Sequence, residues 1–585
     1  MTAQTPVPQP STEQNANDSG RRDVQVLPIA ADTTALRSRS WERLRFEIEY
    51  ALEKGTTANS YLIRGSQIAL IDPPGGSFKE AFLAALAAEL DPHLIDYIVL
   101  SHTNPNRMET LKALLEMTPQ ATIVCSNPAA IALKAADIDH PTQPVKGGTE
   151  QDLDLGRRHH LQFILTPTPR WPDGMCTYDS VSEVLFSDKF FSAHVCSDDA
   201  YDLNRETLIE DQHYYFDCTM APNARQVETA LEKLQEYVPR LYAVGHGPLV
   251  RYGVSDLTRK YDQWAAQQKG KTLSVALIYA SAYGNTATIA QAIARGITKA
   301  GVGVTSINAE QSDTAEIKAA AETAAGFIMG SPTLGGHAPT QIQTALGVVL
   351  SSASKTKLAG VFGSFGWSGE AIDLLENKFK DAGYSFGFEP IRVKFTPDAS
   401  TLQSCEQAGT DFAQQLKKTK KPKAPRVPAT TVEKAMGRLV GSMCVVTAKQ
   451  GDISGAMLAS WVAQATFTPP GFTVAVAKDR AIEGLMYSGN SFALNILAEG
   501  KHLGPMKHFL KPFAPGEDRF AGVETEESED GQIILKGAIA YLACSVKTRM
   551  DCGDHWVVYA TVSGGEVIDN NAKTAVHHRK TGTHY

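Results

Sequence analysis

Apolar and polar positions follow three successive rhythms along this chain. From about Trp41 to Gln268, short apolar runs such as Ile68-Ala69-Leu70-Ile71 and Tyr97-Ile98-Val99-Leu100 alternate with loops rich in Pro, His and Asp. Such runs predict short strands bounded by turns. From about Lys271 to Lys417, apolar strands alternate with Ala-rich helical segments. Leu273 to Tyr279 is apolar almost throughout, as expected of a parallel strand covered on both faces. Helical periodicity follows from Thr286 to about Ala300, and further strands are predicted at Gly326–Gly330 and Leu358–Gly363. This β-α-β alternation predicts a doubly wound sheet. From about Thr430 to Tyr585, short runs rich in Val, Ala, Thr and Gly predict a β-barrel.

Two stretches lack any such rhythm. Residues 1–40 are rich in Thr, Gln, Pro, Ser and Asn without an apolar core, and read as a disordered tail rather than a signal peptide. Residues 417–430, from Lys417-Lys418 to Val427-Pro428, are basic and Pro-rich, and read as a solvated linker. The expected domains are therefore 41–268, 269–416 and 431–585.

Composition narrows the class. A chain of 585 residues exceeds one core, and 43% hydrophobic with 21% charged residues is ordinary for a globular protein. The net charge of −8 argues against a nucleic-acid partner. The 8 cysteines form no C-x-x-C pair, which fits a reducing cytoplasm. No run of about 18 apolar residues suggests a membrane span.

The clearest chemistry lies in the second domain. Ser281-Ala282-Tyr283-Gly284-Asn285-Thr286 joins an apolar strand to a helix. Hydroxyls, a tight Gly and a helix N-terminus suit a phosphate monoester held without Lys or Arg. Two further loops, Gly330-Ser331-Pro332-Thr333 and Phe362 to Glu370 with Gly363, Ser364, Gly366 and Trp367, follow the next strands. Ligands of open α/β sheets bind at such carboxyl ends. In order and spacing, these loops resemble those of flavodoxins. The resemblance implies FMN, with its phosphate at the first loop and its isoalloxazine ring between the other two.

The first domain resembles the metallo-β-lactamase-like domain of flavodiiron proteins. Where that family carries His-x-Glu-x-Asp-His, this chain has His102-Thr103-Asn104-Pro105-Asn106-Arg107. Pro169-Arg170-Trp171-Pro172-Asp173 places Arg170 at a ligand His, and Leu185 to Lys189 places Lys189 at the bridging Asp. Gly245-His246-Gly247-Pro248 keeps the last ligand. By this resemblance only His102 and His246 survive, while three carboxylates and two imidazoles become Asn104, Asn106, Lys189, Arg107 and Arg170. With neutral His, the ligand set changes from three negative charges to three positive ones. A guanidinium offers no lone pair, so a di-iron centre is not expected. The three cations are expected to converge, each with an acidic partner or bound anion, with the two His at the rim. A mononuclear site on His102, His246 and Asp188 would need a side chain one residue out of strand phase. A hydrolytic zinc site would want His at position 104 and Asp-His at 106–107.

In the third domain, Ala459 to Thr466 and Gly553-Asp554-His555-Trp556 resemble the flavin reductase family of split barrels. Ser460, Gln464 and Thr466 would suit the phosphate and ribityl chain of a second FMN or FAD. No G-x-G-x-x-G motif follows a strand, so NAD(P)H would meet flavin on the barrel surface.

The whole of 41–585 resembles the three-domain flavodiiron proteins of oxygenic phototrophs, in the subset with substituted iron ligands. The fold class implied is a metallo-β-lactamase-like αββα sandwich, a flavodoxin-like doubly wound parallel sheet and a flavin-reductase-like split β-barrel. The activity implied is oxidoreduction from NAD(P)H or ferredoxin, through FMN, toward O2. The resemblance also implies a head-to-tail homo- or hetero-dimer with an iron-competent paralogue. The alternative reading is a regulatory or structural flavin-binding subunit.

Overall fold

The computed structural model describes residues 22–41, 54–146, 152–419, 430–450, 453–510, 518–528 and 530–582. Residues 1–21 of the expected tail and 420–429 of the expected linker lie outside these. The chain divides into two compact units, at Lys269 and Gly270.

The first unit stacks two sheets. One runs in order β1 (Arg22–Ala30), β2 (Thr33–Ser40), β3 (Thr56–Arg64), β4 (Ile68–Ile71), β5 (Tyr97–Leu100), β6 (Thr122–Ser126) and β7 (Thr142–Val145). The other contains β8 (Asp152–Gly156), β9 (His159–Leu165), β10 (Met175–Asp179), β11 (Val184–Asp188) and β12 (Leu241–Val244). Tyr61, Val99, Phe186 and Tyr242 belong to a core shared by both sheets. Leu62 and Ile98 face a second cluster with helices α1 (Lys79–Glu89), α2 (Pro105–Met117) and α3 (Asn127–Ala135). Val227 and Tyr261, on α5 (Ala224–Leu234) and α6 (Val254–Lys269), close the other side after α4 (Arg205–Thr219). This is the αββα sandwich.

The expected tail needs correction here. Residues 22–40 form the β1–β2 hairpin. The sequence Thr33–Ser40 is largely polar, yet all eight residues are buried. Several of their polar groups find partners: Arg39 binds Asp23 at 2.7 Å and Asp198 at 2.8 Å, Arg37 Nη1 donates to Gln25 Oε1 at 2.5 Å, and Arg64 donates to Thr34 Oγ1, while the Ser38 and Ser40 hydroxyls are buried without a hydrogen bond. Paired polar groups can be buried without the apolar rhythm that reveals most strands.

In the second unit, β13 (Ser274–Tyr279), β14 (Gly303–Asn308), β15 (Gly326–Pro332), β16 (Leu358–Phe365), β17 (Ser385–Phe386) and β18 (Ile391–Lys394) form a parallel sheet. Its order is β14-β13-β15-β16-β17, with β18 also on β16. Helices α7 (Asn285–Lys299) and α11 (Ala399–Thr419) cover one face. Helices α8 (Thr314–Thr323), α9 (Thr340–Ser352) and α10 (Glu370–Asp381) cover the other. Helix α11 runs to Thr419, so residues 417–419 are helical rather than linker. The first described residue beyond the gap, Thr430, caps α12 (Thr431–Met436) through a reciprocal box with Glu433.

The barrel follows. Its strands are β19 (Gly441–Ser442), β20 (Cys444–Gln450), β21 (Ile453–Ala459), β22 (Val462–Phe467), β23 (Pro470–Ala477), β24 (Ser491–Leu497), β25 (Thr525–Glu527), β26 (Ile533–Leu535), β27 (Ala538–Asp551), β28 (His555–Val567) and β29 (Val576–His577). The main sheet runs β21-β20-β24-β27-β28-β23-β22 and encloses Val446, Phe472, Val474, Phe492 and Val558. A short helix, α13 (Leu503–Leu510), lies outside it.

Candidate functional site

The first candidate site starts as a helix terminus. Asn104 is the N-cap of α2, accepting from Arg107 N at 2.7 Å, and Pro105 occupies the first helical position. This leaves the Asn104 amide nitrogen free to donate, and it does so to His102 Nε2 at 3.1 Å. His102 Nδ1 in turn donates to Asp188 Oδ2 at 2.6 Å. Arg107 Nη1 passes 3.1 Å from the same Nδ1, but both are donors in this tautomer, so that approach carries no hydrogen bond. Arg107 instead donates to Asp72 Oδ1 at 2.7 Å and to the His102 carbonyl at 3.0 Å, with Asp188 Oδ1 at 3.6 Å.

On the opposite side, Lys189 Nζ lies 3.6 Å from Asp188 Oδ1 and 3.2 Å from His246 Nε2. His246 Nδ1 donates to the Thr57 carbonyl at 2.6 Å. Both imidazoles, His102 and His246, therefore have one nitrogen donating to the protein and the other accepting from Asn104 or Lys189. Neither keeps a lone pair aimed at open space. Asp72, Asp188, Arg107 and Lys189 are all buried, and their formal charges cancel.

Burial alone would push the Asp188 carboxyl up. His102, Lys189 and Arg107 overcome that and hold it far below the usual carboxylate range. Burial and the neighbouring Arg107 push His102 below the usual imidazole range, against the pull of Asp188. Asp72 is pushed up by burial, against the pull of Arg107. Asp72 and Asp188 also adopt left-handed backbone, at φ 56° and 45°, where non-Gly residues are uncommon.

Several expectations change. Asp188 does face the pocket, because strand alternation ends with β11: its left-handed φ and a register shift between Phe186 and Asp188 let it and Lys189 point together. It serves as counter-ion to the cations. Arg170 meets Lys189 across Trp171, whose ring lies 5.7 Å from Lys189 Nζ. It stacks against Trp171 at 5.1 Å and donates to the Cys218 carbonyl at 3.4 Å. Asn106 is exposed and accepts from Gly76 N at 3.0 Å, outside the pocket. His102 and His246 are 0% and 2% exposed, so they lie in the interior rather than at a rim. Among the described residues no cluster of three His, Cys, Asp or Glu side chains is placed to hold a metal. Of the acids that complete the pocket, Asp188 was weighed from sequence only as a metal ligand and Asp72 was not identified. Asp72 directly follows the Ile68–Ile71 run, a strand-end position that offered a signal.

The second candidate site lies at the carboxyl ends of β13, β15 and β16. Its three loops are tied together. Thr286 Oγ1 meets Ser364 Oγ at 2.8 Å, Thr333 N donates to the Ser364 carbonyl at 2.9 Å, and Ser281 Oγ accepts from Ala287 N at 3.1 Å. Gly284 sits at φ 82° with nothing within 4 Å of a would-be Cβ, so its conformation and the space beside it both suit a close ligand. Thr333 Oγ1 is buried without a hydrogen-bond partner. Tyr283 and Trp367 are 83% and 91% exposed, as ring-stacking side chains awaiting a ligand would be. Asn285 begins α7 at this cradle. Ser331 Oγ donates to the Pro332 carbonyl, and a Cβ on Gly363 would come 2.3 Å from the Ser331 carbonyl, so Gly363 serves strand packing. Gly366 has room beside Phe395, whose ring lies 6.4 Å from that of Trp367. The donor set fits a flavin mononucleotide. The Ser281 amide is taken by Glu310 Oε2 at 3.1 Å, a carboxylate standing where a phosphate oxygen would be suited.

The barrel residues are less convergent. Ser460 is 2% exposed with an unpartnered hydroxyl, while Gln464 is exposed on edge strand β22. Thr466 donates to the Pro469 carbonyl at 2.6 Å, beyond a register shift between Gln464 and Thr466.

The comparisons agree with this architecture. Residues 56–247 match the ODP family beta lactamase model, 277–409 match flavodoxin, and 436–583 match the flavin reductase like domain. The chain is 64% identical over 567 residues to "Putative diflavin flavoprotein A 6" of Nostoc sp. (strain PCC 7120), covering 96% of this chain and 99% of that one. It is 42% identical to "Diflavin flavoprotein A 1" of Synechocystis sp. (strain PCC 6803), covering 97% and 98%. Among solved structures, the metal-soaked Flv1 flavodiiron core from Synechocystis sp. PCC6803 is 61% identical with a TM-score of 0.66, covering 68% of this chain and all of that one. Fold and site define an oxidoreductase-type flavoprotein built of lactamase-like, flavodoxin and flavin reductase domains. The chain belongs to the three-domain diflavin flavoprotein A, or flavodiiron, family of cyanobacteria. No helix among the described residues is long and apolar enough to cross a membrane.

Proposed function

We propose that this chain is an electron-transferring subunit that binds FMN but has given up its own iron chemistry. The observation that carries this reading is the capping of the His102 and His246 imidazoles by Asn104 and Lys189 in the first unit; the open cradle at Gly284 in the second unit supports it. Ser281, Asn285 and Thr286 would hold the phosphate at the N-terminus of α7, and Tyr283, Thr333 and Trp367 would frame the ring. Bound FMN would supply two-electron acceptance and one-electron release. Electrons would enter from NAD(P)H at the barrel, where Ser460, Gln464 and Thr466 would hold a second flavin, or from a donor such as ferredoxin. They would leave toward reduction of O2 to water at an iron-competent paralogue in a head-to-tail pair. The neutral Asp72–Arg107–Asp188–Lys189 cluster keeps the first domain folded without metal, which supports a subunit retained for its flavins.

The test combines elemental analysis with flavin absorbance during anaerobic NAD(P)H addition. About one flavin or more per chain, bleached by NAD(P)H, with iron far below two per chain, is expected. Chelation-resistant iron near two per chain would refute the reading. Flavin that NAD(P)H and reduced ferredoxin both fail to bleach would favour the regulatory alternative.

A further inference from the structure

Independent domains joined by a linker are expected to move relative to one another. The doubly wound domain and the barrel carry a feature that opposes this. Arg295 and Lys299 lie on the last turns of α7, and Glu406 on α11 faces both: Arg295 Nε is 3.6 Å from Glu406 Oε2, and Lys299 Nζ pairs with Glu406 Oε1. From the barrel come Glu483 and Tyr487, in the segment after β23, and Arg549 and Trp556 on β27 and β28. Lys299 Nζ donates to Glu483 Oε2 at 3.1 Å, and Arg295 Nη2 donates to the Tyr487 hydroxyl at 2.5 Å. Glu483 Oε1 also accepts from Arg549 Nη1 at 3.2 Å and Trp556 Nε1 at 3.1 Å. The Arg549 guanidinium lies over the rings of Tyr487, at 3.9 Å, and Trp556, at 4.4 Å.

All five charged groups are withdrawn from water. Glu406 and Glu483 are 2% and 3% exposed, and the side chains of Arg295, Lys299 and Arg549 are 7%, 11% and 11% exposed. The supporting helices have no slack. A Cβ on Gly296 would come 1.9 Å from the Glu406 carbonyl, and one on Gly409 2.1 Å from the Ile293 carbonyl, so α7 and α11 touch backbone to backbone and fix Glu406. Burial raises the Glu483 carboxyl, but Lys299, Arg549 and Arg295 more than offset this and hold it down to about 2.

We infer that Arg295, Lys299, Glu406, Glu483 and Arg549 form a charge lock that mounts the barrel on the α7–α11 face as one rigid piece with the flavodoxin-like domain. The lock sits at the C-terminal end of α7. Asn285, at the flavin cradle, lies about 21 Å away along the helix, from its rise of about 1.5 Å per residue. The mount thus holds the barrel by the end of α7 opposite to the flavin loops.

The test uses full-length, flavin-loaded protein and the variants Glu483→Gln and Lys299→Met, singly and together. Hydrogen exchange is read on peptides covering 290–300, 400–410 and 481–490, with small-angle scattering in parallel. Wild type should scatter as one shape from low salt to about 1 M, since buried pairs are weakly screened. Each variant should speed exchange in those peptides about tenfold or more and widen the scattering distribution. The double variant should add little to either single one. Exchange over 281–288 and flavin content should stay unchanged. Wild-type exchange and scattering in both variants would overturn the inference. So would equal acceleration throughout both domains with loss of flavin, because the residues would then be general core rather than a lock.

Discussion

Lys189→Asp, which sets a carboxylate where the resemblance to flavodiiron proteins implies one, offers the sharpest test of the basic pocket. Lys189 is 4% exposed, donates to His246 Nε2 at 3.2 Å and faces Asp188 Oδ1 at 3.6 Å. The substitution removes that donor and sets a second buried carboxylate beside Asp188. Breaking a buried pair by removing one partner costs about 3–5 kcal/mol. For a unit of this size, each kcal/mol shifts Tm by about 2–4 °C, so the first transition should fall by about 6–20 °C. Lys189→Met, which removes the charge without reversing it, should fall less, because Arg107 and His102 still face Asp188. Neither variant should gain iron, since Asn104 still caps His102 and Arg107 still holds Asp72 and Asp188. Differential scanning calorimetry and iron analysis after chelation read both quantities. Chelation-resistant iron in Lys189→Asp, with unchanged Tm, would refute the pocket as described. Restoring positions 104, 106, 107, 170 and 189 together to Glu, Asp, His, His and Asp should recover metal.

Three further outcomes are expected. Asn285→Asp should weaken FMN binding about tenfold, measured by flavin fluorescence, because an anion then faces the phosphate at a helix N-terminus; unchanged affinity would place the phosphate elsewhere. Glu310→Gln should tighten FMN binding several-fold, as its carboxylate no longer repels a phosphate at the Ser281 amide it now occupies; weaker binding would show that Glu310 helps build the loop. Burial pushes the Asp411 carboxyl up to about 6, against the pull of Arg519 and Lys299. A raised acid penalises the folded state once pH exceeds the folded pKa and costs nothing below the unfolded one. Asp411→Asn should therefore stabilise the second unit at pH 8, by about 1–2 kcal/mol after discounting for its partial exposure, and have little effect at pH 4; equal effects at both pH values, in urea titrations, would contradict this.

Much of the doubly wound domain could be read from the chain, because a strand buried on both faces must be apolar throughout and a phosphate loop needs its Gly and hydroxyls in order. Val275 to Tyr279 is buried at every position. The polar strand Thr33–Ser40 could not, since its burial depends on Asp23, Asp198 and Arg64, which sequence distance conceals. Asp188 was misjudged for a related reason. Period-two alternation governs an extended strand, and the left-handed residue at its end cancels the rule. Arg170 shows a further limit: sequence did not reveal that Trp171 would lie between it and Lys189. The interdomain lock left no local trace, because Arg295, Glu406, Glu483 and Arg549 are far apart in sequence and each alone resembles an ordinary surface charge.

On the proposed reading, the pocket also accounts for a metal-free site that stays folded. A bound cation does two electrostatic jobs: it accepts imidazole lone pairs and it balances carboxylates. Removing it leaves both needs buried, and each unmet polar group costs on the order of 1–3 kcal/mol. Asn104 and Lys189 meet the first need, offering N–H donors to His102 Nε2 and His246 Nε2. Arg107 and Lys189 meet the second, facing Asp72 and Asp188. A carboxylate at position 104 or 189 could do neither without a metal, because an ionised carboxylate only accepts hydrogen bonds. The substitutions are thus mutually dependent, and reversing one should strand its partner. That coupling predicts that a single reversion at position 104, 107 or 189 is worse than either the present set or the full ligand set.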